Sequence, residues 1–374
     1  MSQLVCCADP TIPLLPEVLQ AQPNLRLYLV PGTELSGALL RRLRCQALFI
    51  RAGTRVDRTL VAGTAIGFVG TPSSGIDHIA VEELHELGIT VAHTPGCNAN
   101  AVAEYVVIAL LLWAGRTGRQ LTGERIGIVG FGNIGRRVAA YAYRLGMEVW
   151  TYDPPLQRQG FRFPVWVRSV ASLHSLCAGC SVVTLHVPLT RSGPDPTWHL
   201  LGTEELRLLP AGALLVQTSR GGVLEEAAAE ELLRSKELFV AVDVWEREPL
   251  VNWAVAERAL LATPHIAGHT WQGRICCSWQ LVKQFAQWAG IAFSDAPFRR
   301  ALAECPPPPS QIPWDEPEQL LRLLQGRRRL HEDFHVLRSW QRLPEPQQGR
   351  AFRAFRESYP RRPETLRLPD SAPL

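Results

Sequence analysis

A chain of 374 residues with 46% hydrophobic and 20% charged side chains is larger than one core usually supports and is composed like an ordinary globular protein, which excludes fibrous and disordered classes. Its formal charge of +4 suits a small anionic ligand and lacks the dense basic surface that nucleic acid demands. Nine unpatterned cysteines read as reduced thiols, and neither a basic leader nor an uninterrupted apolar run of membrane length is found, so the expectation is a cytoplasmic protein with no membrane partner.

In chain order, the apolar runs Leu25–Val30, Ala47–Ile50 and Ile66–Val69, bounded by Pro and Gly, predict strands of a parallel sheet joined by crossover helices. Val81–Leu87 predicts a short helix ended by Gly88, and Ile89–Ala92 the next strand, after which a first domain closes. From the N-cap residue Asn98, apolar side chains recur at helical spacing to Trp113, with Gly115 as a stop. A second alternating series then predicts strands at Arg125–Val129, Glu148–Tyr152, Ser181–Leu185, Ala213–Gln217 and Phe239–Val244.

Beyond His265, a helix from Gln272 to Ala289 returns the chain to the first domain, and Pro306–Pro309 forms a stiff linker. The Arg-rich remainder, with Phe334, Trp340, Phe352, Phe355 and Tyr359 spaced through helical pattern, reads as a small module packed on a partner subunit. Within it Arg327–Arg329 reads as a solvated helix face. The expected domains are residues 1–95 with 265–290, residues 96–264, and residues 291–374. The one Cys-x-x-Cys, Cys177 and Cys180, has no second ligand pair and reads as helix-end packing, so no metal is expected.

Chemistry enters at Gly130-Phe-Gly132-Asn-Ile-Gly135, which follows a strand and opens a helix with the apolar face Ile134, Val138, Tyr141 and Leu145. A pyrophosphate must approach backbone N–H groups at a helix N-terminus, so side chains there have to vanish. Gly130 permits the turn, Gly132 the approach and Gly135 the packing of helix on strand, while Asn133 and Ile134 lie against the phosphates. Asp153, ending the next strand, can accept hydrogen bonds from a ribose diol and repel a 2′-phosphate, which favours NAD over NADP. The bland alternative for Asp153 is a helix cap before Pro154-Pro155.

Three polar segments close the second series: Thr218-Ser219-Arg220-Gly221-Gly222, Asp243-Val244-Trp245-Glu246-Arg247-Glu248-Pro249 and Thr263-Pro264-His265-Ile266-Ala267-Gly268. Oxidising a 2-hydroxy acid requires a cation for the carboxylate, a base for the hydroxyl proton and an acid to orient that base. Arg220, His265 and Glu248 suit these roles in turn. His78 and His186, at strand ends, read as structural histidines, and Cys97, without a basic partner, is excluded as a nucleophile.

From about Gly70 to Gly273 these segments resemble the D-isomer-specific 2-hydroxyacid dehydrogenase family. The resemblance implies a flavodoxin-like substrate domain, a Rossmann NAD domain and a small C-terminal α+β dimerisation module, hence two doubly wound parallel sheets of the α/β class. It places catalysis on Arg220, Glu248 and His265, cofactor contacts on Asp153, Thr218, Ser219, Asp243 and Gly268, and a substrate contact on Ser73. The strings Pro95-Gly96-Cys97-Asn98-Ala99 and Asp243-Val244-Trp245-Glu246 differ from phosphoglycerate and lactate relatives and point to a branch that acts on a phosphorylated hydroxy acid as a homodimer. The chain departs from that branch at Ala52, where a substrate-binding Ser follows Val-Arg, at His269 in place of Tyr, at Val187 in place of a cofactor-side Thr, and at Asp9-Pro10-Thr11. Alternatives are a hydroxypyruvate, glyoxylate or 3-phosphoglycerate enzyme, or a non-catalytic NAD(H)-sensing protein.

Overall fold

The computed structural model describes residues 3–235 and 238–368. It divides into two compact units, Met1–Asn98 with Trp271–Pro306 and Ala99–Thr270 with Pro307–Leu374. The chain thus changes unit at Asn98 and Thr270, a few residues later than the sequence boundaries at 95 and 264, and again at the proline run.

In the first unit, β1 (Leu4–Ala8), β2 (Leu25–Leu29), β3 (Ala47–Phe49), β4 (Phe68–Gly70) and β5 (Thr90–Ala92) form a parallel sheet in the order β2-β1-β3-β4-β5. This is the flavodoxin-like order that the family resemblance implies. The sequence reading lacks β1, although Cys6, Cys7 and Ala8 are buried and the strand pairs with both β2 and β3. Its two adjacent cysteines interrupt the β-branched pattern by which strands are recognised. The returning helix Trp271–Ala289 sends Leu281 and Phe285 into the core, where Phe49 and Phe68 pack on the Phe285 ring.

In the second unit, β6 (Arg125–Val129), β7 (Glu148–Tyr152), β8 (Val167–Ser169), β9 (Val182–Leu185), β10 (Leu214–Gln217), β11 (Phe239–Val242) and β12 (Leu261–Ala262) form a parallel sheet in the order β12-β11-β10-β9-β6-β7-β8. The order of strands along the sheet reverses between β6 and β9, the place where open α/β sheets bind nucleotides. Short β8 and β12, both at sheet edges, are the strands that periodicity does not reveal. The helix predicted to stop at Gly115 runs Ala99–Thr117, since packing on the helices Asn133–Arg144 and Pro317–Arg328 outweighs the glycine penalty. Its length and apolarity would serve a membrane span, yet it is a core helix with both Tyr105 and Trp113 fully buried.

Three expectations about the C-terminal residues need correction. After residue 290 the described chain is helical (Ala296–Ala303, Pro317–Arg328, Leu330–Ser339 and Glu345–Glu357) and contributes no strand, against the expected α+β module; residues 369–374 lie outside the described part. Nor does it stand apart: Leu320, Leu324 and Leu330 join the core built on helix Ala99–Thr117, while Leu337, Trp340 and Phe352 join the core on the other side of the sheet. Arg328, expected in solvent, is fully buried and paired with Glu104 at 3.2 Å.

Candidate active site

Register aligns the sheet so that one row of residues emerges from it. Val129 lies opposite Tyr152 and Leu185, Gln217 opposite Leu185 and Val242, and Ala262 opposite Val242. The next residue of each strand is therefore Gly130, Asp153, His186, Thr218, Asp243 or Thr263. The glycine turn and the three polar segments all begin on this carboxyl edge.

At Gly130 the backbone is left-handed (φ 90°), and a Cβ there would sit 2.6 Å from the His186 carbonyl oxygen. A Cβ on Gly135 would lie 2.1 Å from the Gly130 oxygen, so the helix Asn133–Arg144 reaches the turn only without a side chain. Gly132 differs: nothing lies within 4 Å of its added Cβ, and with Asn133 it is exposed at the helix start. Two positions are closed by the protein and the third is left open, the pattern expected where a diphosphate approaches free N–H groups. Half-buried Ile134 packs on the core beneath. Val187 Cγ1 would contact a Gly130 Cβ at 2.9 Å, so Val187 walls this turn.

Asp153, expected to meet a ribose, also ties two backbone segments together. Its Oδ2 accepts from the Phe131 N–H at 2.7 Å and its Oδ1 from the Leu156 N–H at 3.0 Å, which ties the glycine turn to the cap of helix Pro154–Arg158. Thr218 Oγ1 is buried with no hydrogen-bond partner among the described residues, while Ser219 donates to Gln217 Oε1 at 2.8 Å. An open glycine, a free helix terminus and an orphaned hydroxyl on one edge fit a nicotinamide dinucleotide. His186, its Nε2 beside Thr184 Oγ1 at 2.9 Å, is pushed down to about 3 by burial and stays neutral.

The three polar segments are brought together by their neighbours. A Cβ on Gly221 would fall 1.9 Å from the Trp245 carbonyl oxygen, so the loop carrying Arg220 can lie on the loop carrying Glu248 only because glycine follows the arginine. Asp243 organises the third loop. Its oxygens accept from Thr263 Oγ1 (2.6 Å), the Ile266 N–H (2.7 Å) and the Ala267 N–H (2.9 Å), and its carbonyl accepts from the His265 N–H at 2.7 Å. These bonds hold His265 in a left-handed conformation (φ 57°) that few non-glycine residues adopt. Asp243, expected from sequence as a cofactor contact, thus takes three hydrogen bonds from its own chain on its carboxylate. Buried Tyr105 extends the network, with its hydroxyl 3.0 Å from Thr263 Oγ1.

His265 Nδ1 lies 2.8 Å from Glu248 Oε2 and 3.0 Å from Oε1. Burial alone would raise the Glu248 carboxyl, but the His265 charge and hydrogen bond, Arg356 and the Trp245 N–H outweigh it and hold the group below the usual carboxylate range. With Nδ1 so engaged, Nε2 is the nitrogen left to meet a substrate hydroxyl. Nearby, Glu226 accepts from the Glu246 N–H at 2.7 Å, and burial pushes its carboxyl up to about 7. Arg220 is half-buried, with Nη1 donating to the Ser219 carbonyl at 2.8 Å.

Arg356 and Arg328 are what sequence reasoning missed. Arg356 Nε donates to the His265 carbonyl at 3.2 Å, and Arg328 Nη2 to the Ala267 carbonyl at 2.8 Å, so the C-terminal helices hold the turn that carries His265. Neither arginine sits in a motif; only the helix faces they occupy distinguish them. His269 stacks edge-on against Tyr359 with ring centroids 6.0 Å apart, and Gly268 is half-buried beside it. In the first unit, Ala52 is exposed in the turn after β3, and Ser73, in the loop after β4, donates to the Gly75 carbonyl at 2.5 Å. Cys177 and Cys180 are buried at the end of helix Leu173–Gly179, as packing requires, and both thiols are pushed up to about 12 by burial.

Residues 111–267 match the family model of the D-isomer specific 2-hydroxyacid dehydrogenase NAD binding domain. An erythronate-4-phosphate dehydrogenase of Pseudomonas putida (strain F1) is 36% identical over 99% of this chain and 96% of its own length. Another, from Stutzerimonas stutzeri (strain A1501), is 36% identical over 96% of this chain and 92% of its own. Among solved structures, the TT0316 protein of Thermus thermophilus superposes with a TM-score of 0.66 at 26% identity, covering 77% of this chain and 97% of its own.

Proposed function

The chain belongs to the erythronate-4-phosphate dehydrogenases, NAD-dependent oxidoreductases within the D-isomer-specific 2-hydroxyacid dehydrogenases, and we propose that its own substrate is 4-phospho-D-erythronate, oxidised at C2 to the 2-oxo acid. The single observation that carries the chemistry is the His265–Glu248 pair at 2.8 Å, held on the carboxyl edge by Asp243. Gly130, Gly132, Asn133, Ile134 and Gly135, with Asp153, Val187, Thr218, Ser219 and Gly268 around them, would hold NAD; when bound, NAD supplies the hydride acceptor.

In this reading His265 Nε2 takes the hydroxyl proton, and Glu248 fixes the ring and balances the imidazolium that results. Arg220 grips the carboxylate in a planar fork and polarises the oxygen developing at C2. Ala52, Ser73 and His269 fall to the substrate side. We infer a role in pyridoxine biosynthesis, which fits the activity named for the relatives, and a cytoplasmic homodimer.

Purified protein with NAD should generate NADH absorbance with 4-phospho-D-erythronate and far less with glyceric, lactic or glycolic acids. Faster turnover of any unphosphorylated acid would remove the assignment of substrate while leaving the reaction type. Light scattering of the purified protein tests the dimer, and a monomeric mass under assay conditions would remove it.

A further inference from the structure

Arg356 sits where no sequence motif points. Helix Glu345–Glu357 docks immediately after Glu248: a Cβ on Gly349 would meet Pro249 Cγ at 3.2 Å, and Gln348 Oε1 accepts from Trp253 Nε1 at 3.0 Å. Phe352, fully buried, anchors the same face, and its ring lies 5.8 Å from the Arg356 guanidinium. The arginine is therefore delivered by a packed helix and not by a mobile surface chain. Its Nε is spent on the His265 carbonyl at 3.2 Å.

The remaining nitrogens have no hydrogen-bond acceptor, and no carboxylate stands within ion-pair distance, among the described residues. The two acids whose charge reaches it are committed elsewhere, Glu248 to His265 and the Trp245 N–H, and Asp243 to Thr263, Ile266 and Ala267. Burial pushes the Arg356 guanidinium down from its ordinary value; Glu248 and Asp243 oppose this, and Arg220 adds to it. A desolvated cation beside a second cation is costly unless an anion completes it. A substrate carboxylate held by Arg220 would leave the Arg356 guanidinium without an anion, so a second charged group is needed to complete it.

We propose that Arg356 is a substrate-specificity residue which, with Arg220, forms a two-guanidinium site for a hydroxy acid carrying a phosphate-class dianion in addition to its carboxylate. This rests on the reading of His265 as the base for a 2-hydroxy acid. It assigns the recognition of the second anion to the C-terminal helix Glu345–Glu357.

The test compares wild type, Arg356→Gln and Arg356→Lys with the four-carbon 2-hydroxy acid in its phosphorylated and unphosphorylated forms. In Arg356→Gln the ratio of kcat/KM between the two acids should fall by at least about tenfold, the worth of one charged hydrogen bond, and competitive inhibition by inorganic phosphate should weaken in parallel. Arg356→Lys should recover part of the ratio, since it keeps the charge and loses the fork. If both acids lose kcat/KM in step and the ratio is preserved, Arg356 merely positions His265 and the proposal is overturned. If wild type oxidises neither acid, the reading of the reaction fails by itself, and calorimetry with inorganic phosphate then decides Arg356: a loss of at least about tenfold in affinity in Arg356→Gln upholds the site, and equal affinity overturns it.

Discussion

Glu248 can be replaced almost without change of shape, which makes it the sharpest probe of the catalytic pair. Glu248→Gln keeps the volume and one acceptor oxygen, yet removes the charge that faces His265 Nδ1 at 2.8 Å. Folding should survive and kcat should fall by roughly 10²–10⁴, the range for a misoriented or uncompensated general base, in steady-state assays. Because the Glu248 carboxyl is held below its ordinary 4.5, its contribution to stability is present above that pH and is lost only as pH falls through the lower folded value. Glu226 behaves oppositely. Burial lifts it from 4.5 to about 7, so its contribution is complete below pH 4.5 and is lost as pH rises through about 7. That swing, on the order of 3 kcal/mol, should appear in melting curves between those limits and flatten in Glu226→Gln, which keeps an oxygen for the Glu246 N–H. A wild-type profile already flat there would show that Glu226 stays ionised in the folded protein.

At the scale of elements, the glycine turn separates packing from ligand approach. Gly135→Ala puts a methyl into the Gly130 carbonyl and should cost about 1–3 kcal/mol in a melt before any cofactor is added. Gly132→Ala meets open space at an ordinary φ of −81°, so the melt should stay near wild type while KM for NAD rises. Equal melts for the two variants would mean that Gly135 is not a packing position. This turn was legible in the sequence because strand, glycine spacing and helix occur in one stretch, and the strands β6 and β7 begin and end where alternation places them. What stayed hidden needs partners far along the chain. β1 reads as a cysteine-interrupted pentapeptide until both neighbours cover it, and the hold of Asp243 on the turn at Ile266 and Ala267 shows only in the fold. The trio Arg220, Glu248 and His265 could be named from chemistry, but the glycine that lets two of their loops touch shows its purpose only against the Trp245 carbonyl.

For the whole second unit, the buried pair Arg328–Glu104 decides whether the last helices are appendage or framework. Arg328 Nη1 donates to Glu104 Oε2 at 3.2 Å and to the Ala101 carbonyl at 2.8 Å, while Nη2 reaches the Ala267 carbonyl at 2.8 Å. Glu104 in turn accepts the backbone N–H groups of Thr365 and Leu366, each at 2.5 Å. One ion pair thus joins the long core helix, the C-terminal helices, the final described residues and the turn that carries His265. Arg328→Met strands a carboxylate with no exposure to water, and the expected loss is about 3–5 kcal/mol, measured by chemical denaturation. An apolar replacement of both partners commonly restores stability. Here it should restore only part, because removing Glu104 leaves two buried N–H groups without an acceptor, worth about 1–3 kcal/mol each. Activity should follow the same order, with Arg328→Met losing kcat through the slackened Ala267 turn even below the temperature at which it unfolds. An Arg328→Met protein with wild-type stability and kcat would mean that the C-terminal helices are not part of the framework that holds the His265 turn.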